Sequence, residues 1–67
     1  MDATTKSLSE YIQESGIRIS ALAKKTGIPY NALWNSLSQK RNRDLRADEF
    51  LTVCCFIRRN PMDFYDQ

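Results

Sequence analysis

Asn31, Asn35 and Ser38 follow one another at helical spacing in the 67-residue chain. All three carry uncharged side chains that donate and accept hydrogen bonds. An asparagine amide can pair bidentately with the edge of an adenine in the major groove of duplex DNA. Cations flank the group on both sides, Lys24 and Lys25 before it and Lys40, Arg41 and Arg43 after it. Such cations hold phosphates while a segment between them meets the bases. Each half of this pattern also has a plainer reading. The asparagines alone can cap and solvate a short helix, and the cations alone can be a solvated basic surface.

Catalysis finds little material. The chain has no histidine, no glycine-rich phosphate loop and no carboxylate pair beside a nucleophile. Cys55 therefore has no evident base to activate it. Cys54 and Cys55 are adjacent, a spacing poorly suited to bridging each other on a helix. With no histidine and no further cysteine, no zinc site is expected either. The expectation is a protein that is not an enzyme and takes no cofactor, metal or small-molecule ligand.

The net charge of +2 hides a strong asymmetry. Residues 18–46 hold Arg18, Lys24, Lys25, Lys40, Arg41, Arg43 and Arg46 against Asp44 alone, a net of +6. The segments on either side carry −2 each. A basic middle between acidic flanks fits a polyanionic partner. No apolar run approaches the ~20 residues that cross a bilayer, and no signal-peptide pattern opens the chain. Two reduced thiols fit a reducing compartment. The expected location is the cytoplasm, and a chain this short makes a single domain, 1–67.

Helical periods separated by stop signals run along the whole chain. Ser7 and Glu10 have capping-box spacing, which predicts a first helix over 7–15 and leaves 1–5 as a short flexible N-terminus. Gly16 is the expected left-handed stop. Ser20 is the expected cap of a second helix, with Leu22 and Ala23 inward, Lys24 and Lys25 outward, and Gly27 ending it. Pro29 suits the first turn of a third helix that runs to about Ser38. Residues 39–45 read as a cationic loop. A fourth helix opens at about Ala47, with Asp48 and Glu49 in its first turn, where the dipole favours anions. Phe50, Val53, Cys54 and Ile57 form its apolar stripe. Asn60 and Pro61 break the chain, and Phe64 is placed to close the core. No segment alternates as a strand does, so the class is all-α with four or five short helices.

At about 100° per residue, Leu33, Ser36 and Leu37 define the buried side of the third helix. Asn31, Asn35 and Ser38 lie nearly opposite. Trp34 falls on the border, about 110° from the core centre, and Tyr30 nearer the core at about 70°. A solvent face with no functional demand usually carries Lys and Glu, which form helix well. This helix has neither.

A helix ending at Gly27, a sharp turn and a second helix with an inward apolar face describe a helix-turn-helix. Ala23, Gly27, Ile28 and Leu33 match its small residue, turn glycine and two core positions. The stretch LAKKTGIPYNALWNSLSQKR, followed by LRADEFLTVCCFI and NPMDFY, resembles the lambda-repressor-like family, the Cro/CI or xenobiotic-response-element type of phage and bacterial regulator. The resemblance covers nearly the whole chain apart from the first few residues. It implies a four- to five-helix DNA-binding domain acting as a transcriptional repressor in bacterial or phage-infected cytoplasm. Carried over, it implies that Pro29, Tyr30, Asn31, Trp34, Asn35 and Ser38 face bases or groove. Ser20, Lys40, Arg41 and Arg43 would meet the backbone, with Lys24 and Lys25 beside them. The implied partner is double-stranded DNA, a palindromic operator bound by a homodimer. Two residues depart from the family pattern. Gln39 stands where relatives place glycine, and Ser36 where a buried apolar residue is common.

Leu51, Cys55 and Phe56 lie off the stripe of the fourth helix and, with Tyr65, form a candidate self-association patch. The alternative is a core that wraps further around that helix. A rival function is a protein-interaction module, an antirepressor or adaptor, in which Tyr30 and Trp34 form an interface hot spot.

Overall fold

The Asp2 carboxylate accepts the backbone N–H of Thr5 at 2.7 Å and so caps the first helix, α1 (Ala3–Ser15). This is a computed structural model, and it describes residues 2–65. The helix begins one turn earlier than the Ser7–Glu10 spacing predicts. Thr5 explains the difference. It is buried, and its hydroxyl accepts the N–H of Leu45 at 3.0 Å, pinning the first turn of α1 to the distant loop. Residues 3–5 are therefore helix rather than a flexible arm. Gly16 ends α1 at φ 73°, a left-handed conformation that costs glycine little.

The second helix, α2 (Ile19–Thr26), starts after Arg18, which supplies no side-chain cap. Ser20 lies inside this helix and exposed, not at its cap. The buried side chain of Ile19 accounts for the earlier start, because it belongs to the core. Gly27 stops α2 at φ 78° and returns its N–H to the Ala23 carbonyl at 3.0 Å. The Thr26 hydroxyl donates to the Leu22 carbonyl at 2.7 Å and accepts the Ile28 N–H at 3.2 Å. Pro29 then occupies the cap position of α3 (Tyr30–Leu37). Its ring fixes φ in a range that suits a helix entry.

Past α3 the chain reverses through Ser38 and Gln39 without a glycine, and Gln39 sits at φ 66°. The fourth helix, α4 (Ala47–Ile57), opens where Glu49 accepts the Arg46 N–H at 2.9 Å. It ends at Arg58, again left-handed at φ 60°. Asn60 caps a 3-10 turn, Pro61–Asp63, by accepting the Met62 N–H.

Each helix contributes to one core. Leu8 and Ile12 come from α1, Ile19 and Leu22 from α2, Leu33 and Leu37 from α3, and Val53 and Cys54 from α4. Leu45 joins from the loop, and Phe64 closes the base, edge-on to both Tyr11 and Phe50. Burial, with the charge of Asp63 nearby, pushes the Cys54 thiol up to about 11. It packs as a small apolar group. The α3 helix touches α1 and α2, and α2 also touches α4, so the helices surround a shared interior. Among the described residues there is no strand, and no helix is long and apolar enough to cross a membrane.

Gln39, like Arg58, carries a backbone cost. A left-handed side-chain residue costs about 1–2 kcal/mol, and glycine returns about half of that through its freer unfolded chain. Gln39→Gly should therefore raise stability by about 0.5–1 kcal/mol, a thermal midpoint a few degrees higher. An unchanged or lower midpoint in thermal denaturation would show that the Gln39 side chain contributes more than the strain costs.

Candidate nucleic-acid interface

The α3 helix has only two turns, and the residues at its start lie at the surface. Pro29 and Asn31 are exposed there, and Tyr30 keeps 47% of its surface accessible. Trp34 is half-buried, packed against the core, and its ring stacks on Tyr30 at 6.2 Å with 22° between planes. The order of burial is thus the reverse of the helical-wheel expectation, which set Tyr30 nearer the core. Helical side chains lean toward the N-terminus. Tyr30, at the first position, leans past the end of α3, where it has little to cover it. Trp34 leans back over that first turn and onto the core.

Asn35 is half-buried, and its carbonyl accepts the Arg43 N–H at 3.2 Å. Ser38 does not face outward as expected. It is buried, and its hydroxyl accepts the Lys40 N–H at 3.2 Å. The helix ends at Leu37, so Ser38 turns into the reversal, and its hydroxyl serves the turn. Asn31 is left as the outward amide of the stripe, with Asn35 at its shoulder.

The cations divide into two groups. Lys24, Lys25, Lys40 and Arg41 are exposed and form no ion pair among the described residues. Lys24 and Lys25 occupy the last turn of α2, just before the turn into α3. Lys40 and Arg41 follow it. Arg18 and Ser20, at the start of α2, are exposed as well. Arg18 had no assigned role in the sequence pattern, though it belongs to the same basic block.

Arg43 belongs to the other group, contrary to the phosphate role expected of it. Its guanidinium forms a bidentate pair with Glu49 at 3.0 and 3.1 Å and donates to the buried Ser36 hydroxyl at 2.9 Å. The side chain is two-thirds covered, its donors already committed to the interior. Ser36, buried on α3, is the partner that makes this arrangement satisfiable. Arg46 stays exposed beside Asp48 at 3.6 Å. No periodicity could have exposed the Arg43–Glu49 pair, since its members lie on a loop and a helix.

The fourth helix carries a second feature. Leu51 (53% accessible), Cys55, Phe56 (48%) and Tyr65 (58%) are all exposed. The core therefore does not wrap around α4 to cover them. Met62, beside them in the chain, is exposed too. Leu51 and Phe56 stand about 140° apart on the helix, with Cys55 and Thr52 between, so they edge one broad face.

No family model, curated protein or solved structure matches the chain. The surface itself carries whatever can be said of function.

The Arg43 guanidinium, with the Arg46 N–H, holds the Glu49 carboxyl below its ordinary value near 4.5; partial burial opposes this without reversing it. A depressed carboxylate stabilises the fold above that ordinary value and loses its contribution as pH falls through the lower folded one. Glu49→Gln should thus cost about 1–2 kcal/mol at pH 7, and the deficit should shrink in acid below pH 4. Denaturant melts at both pH values measure it; a pH-independent deficit would mean that the substituted amide packs badly rather than that a charged pair was lost.

Proposed function

We propose that the protein is a sequence-specific duplex DNA-binding regulator whose α2–turn–α3 unit is a helix-turn-helix of the lambda-repressor-like kind, with α3 lying in the major groove. One observation carries this reading. The exposed side of α3 is uncharged and polar or aromatic, and exposed cations that have no carboxylate partner among the described residues flank it in the chain before and after. An ordinary solvated helix has its charges on that face. Here they stand beside it, as phosphate anchors do around a base-reading helix.

In this reading Asn31 pairs with an adenine edge, with Asn35 beside it. Lys24, Lys25, Lys40 and Arg41 hold phosphates, together with Ser20 through its hydroxyl. Arg43 acts indirectly, by bracing the end of α3. Two copies joined through Leu51, Cys55, Phe56 and Tyr65 would present two α3 helices to a palindromic operator, with half-sites about one helical turn apart. Such a protein represses by occupying the site that a polymerase needs.

A second reading has a specific observation in its favour. The Tyr30–Trp34 stack, with Tyr30 exposed and Trp34 half-buried, would serve a protein-interaction module, an antirepressor or adaptor, since aromatic anchors dominate interface centres. Titration of random-sequence duplex DNA at low salt separates the two. A DNA reader binds with steeply salt-dependent affinity, and an adaptor does not.

Within the DNA reading the two kinds of contact predict different mutant behaviour. Asn31→Ala should cost about 1–3 kcal/mol at one base position of a selected site and relax the preference there. Arg41→Ala should weaken all sequences alike and flatten the salt dependence. Competition binding with selected and random duplexes measures both, and no change in either variant would remove α3 from the interface. Phe56→Lys should abolish dimers in sedimentation while leaving the helical circular-dichroism spectrum intact. A wild type that stays monomeric at high concentration, alone and on DNA, would dispose of the self-association patch.

A further inference from the structure

We infer that the stacked Tyr30–Trp34 pair reads the C5-methyl group of a thymine next to the adenine held by Asn31, so that each half-site contains an A·T-rich step. The inference rests on the DNA reading above and adds what the aromatic side of α3 recognises. Trp34 packs against the core, and the Tyr30 ring lies alongside it, 6.2 Å between centroids and 22° between planes. The result is an aromatic wall on the first turns of α3, with nearly half of Tyr30 left accessible. A ring that already has a neighbour in the free protein loses less side-chain freedom on binding than an isolated one.

The chemistry of the groove limits what such a wall can recognise. Base edges in the major groove present hydrogen-bond donors and acceptors, and the thymine methyl is the apolar group among them. A wall of ring carbon beside polar edges leaves them without hydrogen-bond partners, whereas beside a thymine it buries a methyl group. Asn31 stands next to Tyr30 in sequence and on the same outward half of the helix, as its exposure shows. One helix turn thus combines an amide suited to adenine with an apolar surface suited to thymine. The pairing fits successive A·T pairs better than G·C pairs, whose major-groove edges offer no methyl.

The test replaces thymidine by deoxyuridine, which removes the methyl and keeps every hydrogen bond. Duplexes recovered by selection from random DNA are resynthesised with this change at one thymidine at a time, and wild-type affinity is measured by fluorescence anisotropy. One or two positions per half-site should lose about fourfold, the factor that corresponds to one buried methyl at about 0.8 kcal/mol. Tyr30→Ala should bind thymidine and deoxyuridine duplexes equally. Tyr30→Phe should keep the discrimination, because the ring rather than the hydroxyl makes the contact. Tyr30 is exposed at the start of its helix, so both variants should fold, as a melting curve checks. Equal affinity of the wild type for both duplexes, with sequence preference intact, overturns the methyl contact and leaves the DNA reading standing. Loss of discrimination in Tyr30→Phe also overturns it. Failure to bind any duplex at low salt overturns both readings and leaves the aromatic stack to a protein partner.

Discussion

The guanidinium of Arg43 joins the loop after α3 to the helices on either side of it, through Ser36 on α3 and both carboxylate oxygens of Glu49 on α4. Its backbone N–H also reaches the Asn35 carbonyl. A two-turn helix has little stability of its own and leaves its last carbonyls without intrahelical partners. At α3 those carbonyls are met from outside, Asn35 by Arg43 and Leu37 by the side-chain amide of Gln13 on α1 at 2.9 Å. The exposed face of α3 can carry poor helix formers such as asparagine because its far end is tied to α1, the loop and α4. Local propensity is weak on that face, and long-range polar contacts offset the loss.

This division also sorts the basic block. Seven cations crowd residues 18–46, and their repulsion would spread the molecule if all were free. Arg43 is neutralised by Glu49, and Arg46 lies beside Asp48. Both carboxylates occupy the first turn of α4, where the helix dipole favours them. The acidic opening of α4 thus serves the fold twice, as a start signal and as a counter-charge. The cations it leaves uncovered border the exposed face of α3, which is why the proposed interface keeps a positive field although the whole chain is nearly neutral.

Much of the architecture was legible locally. Gly16, Gly27 and Pro29 mark breaks that depend only on backbone conformation, and Asp48 and Glu49 mark the start of α4 from the dipole alone. Phe64 could be read as the closing core residue from its place after the Asn60–Pro61 break. The misreadings have other causes. Asp2 rather than Ser7 begins α1 because Thr5 is held by Leu45, forty residues away. Ser38 and Arg43 turned inward because their partners lie in a reversal and on another helix. Tyr30 and Trp34 exchanged depths because a wheel ignores the lean of side chains and the end of the helix. Periodicity reports which side of a helix is buried. It is silent on polar groups whose partners come from elsewhere in the chain.

The reversal after α3 shows why a residue other than glycine can stand at its strained point. Any residue at Gln39 must adopt the left-handed conformation for the chain to turn back, bring Ser38 under the Lys40 N–H and return Arg43 to Asn35. Glycine would satisfy that requirement with less strain, so the turn itself does not explain glutamine. Its side chain does what glycine cannot, reaching Ser9 of α1 at a long 3.4 Å. Gln13 makes a second tie between α1 and the same end of α3. Together the two glutamines fasten the reversal to the first helix, at buried Ser9 and at exposed Gln13. Lys40 and Arg41 follow that point directly. A loop that holds phosphates, as proposed for this one, gains from a fixed base, because ordering it on binding would otherwise subtract from affinity. The strain at Gln39 is thus offset in part by the tie that its side chain makes to α1.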